Sequence, residues 1–513
     1  MASLAGHVYA AIEHLEAAVP DLEDPIERAR CERLLGRVLA RSGSAARARD
    51  TLLVAAERCE ADDPAQAAAV LAEAVIPALR AGEPVKAREI GRRALALAED
   101  RGGGPELSAA VMLGIALVFT GAFREGRQLI LRADGLAGPA HALVPGRQLR
   151  AYLGAALRLA GEHVRAGRVL TELADEARAE GAVGTLAYTL VRLGDVDLDA
   201  GRWATARALL AEAVRLARET GQGADRGLAA GGLAWLAAAQ GRDRECRERA
   251  ADAISLADRL GIGSKLNRAA HALGLLALGR GEFDEAASHL SELRRLQNEQ
   301  GWCHAAVQPH VAADLIEALG RAGRFDDARR ELASFEEEAK RAGRPSSLAA
   351  LARCRGLLEE GDDALSRFEE ALTFTEEDTG PFERARAQLA YGEFLAGAGR
   401  AVEAAGALHS AFDRFAPLGA GPWEAQTREA LSRLGQEIPE RDAGPAARLT
   451  ERELQVALAV ASHESPDDAA ARLLLTVPTV EYNLASALAK LGLSSPAELA
   501  KALGDDSVAT AAG

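Results

Sequence analysis

The stretch Leu193–Ala206, LGDVDLDAGRWATA, decides how the rest of the chain is read. Gly194 sits inside an apolar run, Gly201 follows seven residues later, Trp203 two after that, and the small Ala206 five after Gly201. A glycine at the end of such a run stops a helix, because it enters the left-handed conformation without a Cβ penalty. A small residue shortly after the turn lets a second helix approach the first closely. The stretch therefore reads as helix, tight turn, helix.

The same signature recurs in both directions. Glycines at 43, 82, 121, 161, 201, 241, 281, 323, 361 and 399 are spaced by 38 to 42 residues. Five residues after each comes a small side chain: Ala48, Ala87, Gly126, Ala166, Ala206, Cys246, Ala286, Ala328, Ser366 and Ala404. Seven residues before it, six of the ten units carry a further glycine: Gly36, Gly114, Gly154, Gly194, Gly274 and Gly392. A mid-helix glycine costs about 1 kcal/mol relative to alanine, which is tolerable where a neighbouring helix needs the room. Phe123, Trp203, Phe283 and Phe325 are expected to fill the gap between paired helices, and His163 shares their slot as a packing histidine.

One helix pair cannot bury its apolar stripe alone, so the units must stack. The pattern resembles the tetratricopeptide (TPR) repeat stretched to about 40 residues. That resemblance implies a right-handed superhelix with a concave inner face. Ala, Leu, Arg and Glu dominate and aromatics are only 4%, which also argues for an all-α fold. The repeat domain is expected over 1–435, followed by a polar linker at 436–448.

From Leu449 the character changes. Thr450 and Glu453 form a capping box for a first helix. Ser465 can cap a second, Thr476 a third beginning at Val477 or Pro478, and Ser495 precedes a fourth. Four short helices with a sharp break between the second and third make helix-turn-helix geometry. The stretch resembles the LuxR-type DNA-binding domain through Leu449-Thr450, Arg452-Glu453, Ala470-Ala471-Arg472-Leu473, Thr479-Val480-Glu481, Leu484, Lys490-Leu491-Gly492 and Ala497-Glu498-Leu499. The repeats, DLIEALGRAGRFDDARREL from Asp314 above all, are similar to the maltose-regulator-like region of the large ATP-binding LuxR regulators. The expected architecture is thus a TPR-like superhelical solenoid followed by a four-helix LuxR-type domain over 449–504, with a disordered tail at 505–513.

Two departures from that family stand out. No G-x-x-x-x-G-K-[ST] phosphate loop occurs, so the ATPase is missing and the chain is either a short member or a fragment. The reading surface is also poor in cations. Over 449–504, Arg452, Arg472, Lys490 and Lys501 face the acids Glu451, Glu453, Glu464, Asp467, Asp468, Glu481 and Glu498. Phosphate contacts supply most nonspecific affinity, so binding by a monomer should be weak, and a homodimer on two half-sites would be needed.

The resemblance places DNA contacts at Thr479, Glu481, Tyr482, Asn483, Lys490 and Arg472, with Lys490 on phosphate and Asn483 able to read adenine. In the solenoid, Trp235 and Trp302 lie outside the packing slot. Trp302, with Cys303, His304 and His310 nearby, forms the best cluster for a protein or small-molecule ligand in the groove. Their spacing fits no zinc pattern, so neither metal nor cofactor is expected.

No catalytic constellation is present, and an enzyme is not expected. The five scattered cysteines read as reduced thiols, no apolar run is long enough to span a bilayer, and the protein is placed in the cytoplasm. The net charge of -15 repels nucleic acid over most of the surface. The expected function is a transcriptional regulator whose solenoid controls promoter binding, with RNA polymerase as a further partner. The alternative is a TPR-type scaffold with a helix-turn-helix that no longer binds DNA.

Overall fold

The computed structural model describes residues 8–99, 103–138, 146–261, 267–303, 310–378, 380–436, 438, 444–462 and 465–503. His304, the tail 505–513 and part of 436–448 lie outside these. Every regular element among the described residues is a helix. After α1 (Val8–Ala18), ten antiparallel pairs follow. They are α2 (Pro25–Ser42) with α3 (Ala45–Cys59), α4 (Pro64–Arg80) with α5 (Pro84–Ala98), and α6 (Gly103–Phe119) with α7 (Phe123–Ala137). Next come α8 (Arg147–Leu159) with α9 (His163–Ala179), α10 (Val183–Asp199) with α11 (Trp203–Glu219), and α12 (Gly223–Ala239) with α13 (Asp243–Leu260). The series ends with α14 (Asn267–Gly279) and α15 (Phe283–Glu299), α16 (His310–Arg321) and α17 (Phe325–Ala342), α18 (Pro345–Leu358) and α19 (Gly361–Asp378), and α20 (Pro381–Gly397) and α21 (Ala401–Leu418). A lone α22 (Gly421–Arg433) closes the solenoid.

All ten periodic glycines fall at the turn within a pair, with φ between 63° and 98°. The mid-helix glycines work as sockets. A Cβ on Gly154 would stand 2.6 Å from Leu170 Cγ, on Gly194 2.8 Å from Leu210, on Gly274 2.5 Å from Leu290 and on Gly392 2.6 Å from Leu408. In each case a fully buried leucine of the second helix enters the space that the glycine leaves on the first. Two slots depart from the repeat. Ser366 is exposed and Ala364, three residues after the turn glycine, is the buried small residue instead, because α19 begins at Gly361 itself, whereas the second helix of every other pair begins two residues after its glycine. Phe123 and Trp203 are buried as expected, but Phe325 is half exposed.

Successive superhelical turns touch. Arg80 of the second pair bonds Asp225 of the sixth at 3.1 Å. The Cys303 amide donates to the Phe119 carbonyl at 2.9 Å, and Gln240 Nε2 of the sixth pair donates to the Leu418 carbonyl of the tenth at 2.9 Å. Gln426 Nε2 of α22 reaches the Gly279 carbonyl at 3.0 Å. The superhelix therefore closes on itself about every four pairs, which narrows its interior compared with the groove of a wider superhelix.

The C-terminal module comprises α23 (Glu451–Ala461), α24 (Pro466–Leu473), α25 (Val477–Leu491) and α26 (Ala497–Leu503) around a small core that includes Leu454, Leu473, Val480, Leu484 and Leu499 and is joined by Ala208 of α11. The Thr450–Glu453 capping box forms in both directions, and Ser465 Oγ accepts from the Asp468 amide at 3.1 Å. The break between α24 and α25 is made by Leu474 at φ 53°, the one non-glycine residue with positive φ among the described residues.

Candidate functional site

Two places on the molecule combine shape with chemistry. The first is the solenoid interior. The first helices of pairs two to seven face one cavity of about 220 Å³. Its apolar wall includes Ile76, Leu79, Ile115, Phe119, Leu228 and Leu256. On α12, Gly223, Gly227 and Gly231 recur every four residues along the cavity beside Ala224 and Leu228; a Cβ on Gly227 or Gly231 would meet nothing closer than 3.7 Å, whereas Leu260 already covers Gly223. Trp302 sits at the rim, edge-on to Phe119 with ring centroids 5.0 Å apart.

The polar part of the cavity is cationic. Arg80, Arg158, Arg192 and Arg268 line it, with Asp195 as the acid among them. Asp195 is 3.1 Å from Arg192 and also pairs with Arg268, while Arg158 turns back to Asp199 at 3.0 Å. Burial works against the Asp195 charge, but Arg268, Arg192 and Arg158 outweigh it and hold the carboxyl below its usual range. The Arg192 guanidinium also stacks over the Tyr188 ring at 5.2 Å. Tyr188 is edge-on to Tyr152 at 5.4 Å, and burial raises its phenol well above the ordinary value, so it stays neutral. A small side chamber shares Arg80, Tyr152 and Tyr188 with the main cavity and adds Arg41, which makes no ion pair among the described residues.

The sequence-predicted groove residues divide. Trp302 lines the cavity. Trp235 does not: it packs edge-on against Trp203 and Phe382 in the second core. His310 stands 3.3 Å from Glu383 beside a buried ionic network. In that network Asp314 takes His271 Nε2 at 2.7 Å and Arg386 at 2.6 Å, and Glu317 takes Arg386 at 2.7 Å and Arg353 at 2.5 Å. These groups answer one another's charges and stitch α14, α16, α18 and α20 together. Cys246 and Cys354 are buried, and burial pushes both thiols up to about 12, so neither is a nucleophile at neutral pH. Among the described residues no cluster of His, Cys, Asp and Glu is arranged to hold a metal, and no helix is long and apolar enough to cross a membrane.

The second place is the module. It docks on the outer surface of the solenoid through α23 and the end of α24. Gln455 Nε2 donates to the Ala208 carbonyl at 3.0 Å, Arg207 to the Leu449 carbonyl at 3.2 Å, and Arg215 to the Leu473 carbonyl at 3.0 Å. Arg249 pairs with Glu451 at 2.6 Å. The outward face of α25 is left open: Pro478, Glu481, Tyr482, Ala485 and Ala489 are exposed, Tyr482 by 76%.

The proposed DNA-contacting residues are largely occupied within the chain. Lys490 Nζ is 2.7 Å from Glu453, which also accepts from Ser486 Oγ at 2.6 Å and from the Thr450 amide at 2.8 Å. Burial opposes the Glu453 charge, but Lys490, Ser486 and Thr450 outweigh it and pull the carboxyl down to about 2. Asn483 Nδ2 donates to the Thr479 carbonyl at 2.7 Å, and the Thr479 and Thr476 hydroxyls share a bond of 2.8 Å. Arg472 is half-buried in the last turn of α24. Glu481 and Tyr482 lie on the exposed face with no cation between them.

The chain matches no family model and no curated protein. Solved structures similar to it include a Rap protein complexed with competence and sporulation factor, at TM-score 0.45 and 12% identity over 72% of this chain and 98% of that one. They also include the APC/C hetero-tetramer Cut9–Hcn1, at TM-score 0.33 and 12% identity over 98% and 94%. A third is the human IFIT1 dimer with m7Gppp-AAAA, at TM-score 0.31 and 13% identity over 83% and 89%. Likeness of this degree carries no functional information for this chain.

Proposed function

We propose that this chain is a binding protein whose closed helical-repeat solenoid takes a small molecule into its interior cavity, with the helix-turn-helix module carried as a docked part of the body. The observation that carries this reading is the cavity: the inner helices of six successive pairs converge on it and bring both an apolar wall and buried charge. Gly227 provides the test. A Cβ there would meet nothing closer than 3.9 Å, so the backbone position accepts a side chain, and the larger Gly227→Leu is chosen to occupy cavity space. In a thermal-shift screen of small molecules, compounds that stabilise the full chain and leave Gly227→Leu unmoved are expected. If no compound distinguishes the two proteins, the reading falls.

A second reading, a LuxR-type regulator binding promoter DNA as a homodimer, draws on one observation: docking uses α23 and leaves the α25 face free. Against it stands the pairing of Lys490 with Glu453. Charge reversal at Lys490 would break that internal pair as well as any phosphate contact, so Tyr482→Ala is the cleaner variant. Selection from a random-sequence DNA pool at low and near-physiological salt should yield an inverted repeat that Tyr482→Ala fails to enrich. Absence of enrichment at both salts would leave the scaffold reading alone.

A further inference from the structure

We infer that the cavity is selective for an organic anion with a flat, apolar body and one acidic group. This deepens the preceding reading of the cavity as the binding site and rests on it.

Three features carry the inference. The first is charge. Among the described residues, Arg41, Arg80, Arg158, Arg192 and Arg268 of the main cavity and its side chamber face only Asp195, Asp199 and Asp225. All three acids are engaged by these same arginines. The guanidiniums outnumber the carboxylates, and an arginine stays protonated at any working pH. A neutral ligand would leave that excess unanswered, and a cation would add to it.

The second feature is shape. Four rings, Phe119, Tyr152, Tyr188 and Trp302, line the cavity together with Gly227 and Gly231, which leave room along part of α12. Two edge-on ring pairs and the room at Gly227 and Gly231 suit a planar apolar body.

The third is closure. The Arg80–Asp225 pair lies on one side, and the Cys303–Phe119 hydrogen bond with Trp302 lies on the other. An extended peptide threaded along the superhelix axis would have to break both. A compact molecule does not.

The probes are 8-anilinonaphthalene-1-sulfonate and its uncharged relative N-phenyl-1-naphthylamine, which share the aromatic body and differ in the anionic group. Both are titrated by fluorescence into the full chain, Gly227→Leu and Arg192→Met, each shown to be folded by circular dichroism. In Arg192→Met, Asp195 keeps Arg268 as a partner.

The expected result is one saturable site for the sulfonate, abolished in Gly227→Leu and weakened roughly tenfold in Arg192→Met, as loss of a charge-assisted contact implies. The uncharged probe should bind more weakly and be indifferent to Arg192→Met. Competition by 1-naphthoate and by 1-naphthyl phosphate then tells a carboxylate preference from a phosphate preference. Equal binding of both probes, lost together in Gly227→Leu and untouched by Arg192→Met, would overturn the anion selectivity and leave the cavity standing. Binding unchanged by Gly227→Leu, or no binding of either probe, would overturn the cavity reading itself.

Discussion

The same substitution, glycine to alanine inside a helix, should have opposite signs at two places in this solenoid. Gly154 lies in α8 and Gly406 in α21. On intrinsic propensity alone each change to alanine should stabilise by about 1 kcal/mol. At Gly406, exposed and with nothing within 4 Å of the added Cβ, that gain should be realised in full. At Gly154 the new methyl would stand 2.6 Å from Leu170 Cγ and 2.7 Å from Cδ2, well inside carbon–carbon contact. Leu170 is fully buried and has nowhere to turn, so α8 and α9 must move apart. Overpacking of this kind costs about 1–3 kcal/mol and exceeds the propensity gain, for a net loss of about 1 kcal/mol. A double-mutant cycle sharpens the test. Leu170→Ala alone should cost about 2–5 kcal/mol through the cavity it leaves, and less when Gly154→Ala partly fills that space. Urea denaturation followed by circular dichroism gives the midpoints. If Gly154→Ala raises the midpoint as Gly406→Ala does, or if the two α8–α9 changes are additive, the socket account of the repeat glycines is wrong.

The module offers three more tests. Leu474 holds a left-handed conformation that costs a non-glycine residue about 1–2 kcal/mol, so Leu474→Gly should raise the melting temperature of the module. Glu453 titrates near 2 in the fold against an ordinary 4.5, so the stability it contributes is present above about pH 4.5 and lost as the pH falls toward 2. Glu453→Gln should flatten acid unfolding of the module over that window, read by amide exchange in α25. Arg215→Ala with Gln455→Ala removes two of the polar ties to the solenoid and should loosen docking. Faster proteolysis at 436–448 without a change in the solenoid's helical signal is the expected readout, and an unchanged cleavage rate would place the docking energy in apolar contact and in the remaining Arg207 and Arg249 ties.

How much of this was legible in the sequence depends on how local each constraint is. The turn glycines were legible because a positive φ is a property of one residue, and the chain repeats it ten times. The socket glycines were legible as a repeat, although their leucine partners, sixteen residues on, emerge only when both helices are in place. The capping box at Thr450 and the cap at Ser465 are likewise contained within four residues. The cavity was not legible. Its arginines at 80, 158, 192 and 268 occupy no common slot in the repeat, so periodicity treats them as variation among surface residues. Their convergence depends on the rotation accumulated over four pairs, which also brings Arg80 to Asp225.

The aromatic and histidine cluster illustrates the same limit from the other side. Trp302, His304 and His310 are near one another in sequence, which suggested one site. Yet Trp302 packs against Phe119 of an earlier superhelical turn, while His310 faces Glu383 of a later one. In a closed solenoid, neighbours along the chain are assigned to different turns, and groups more than a hundred residues apart become neighbours. A ligand site here is therefore a property of closure. Lys490 makes the point for the module: a cation free in the sequence is bound in the fold to Glu453, the capping residue at the start of α23. Net charge counted along the chain overstates the cations that α25 can offer to a phosphate.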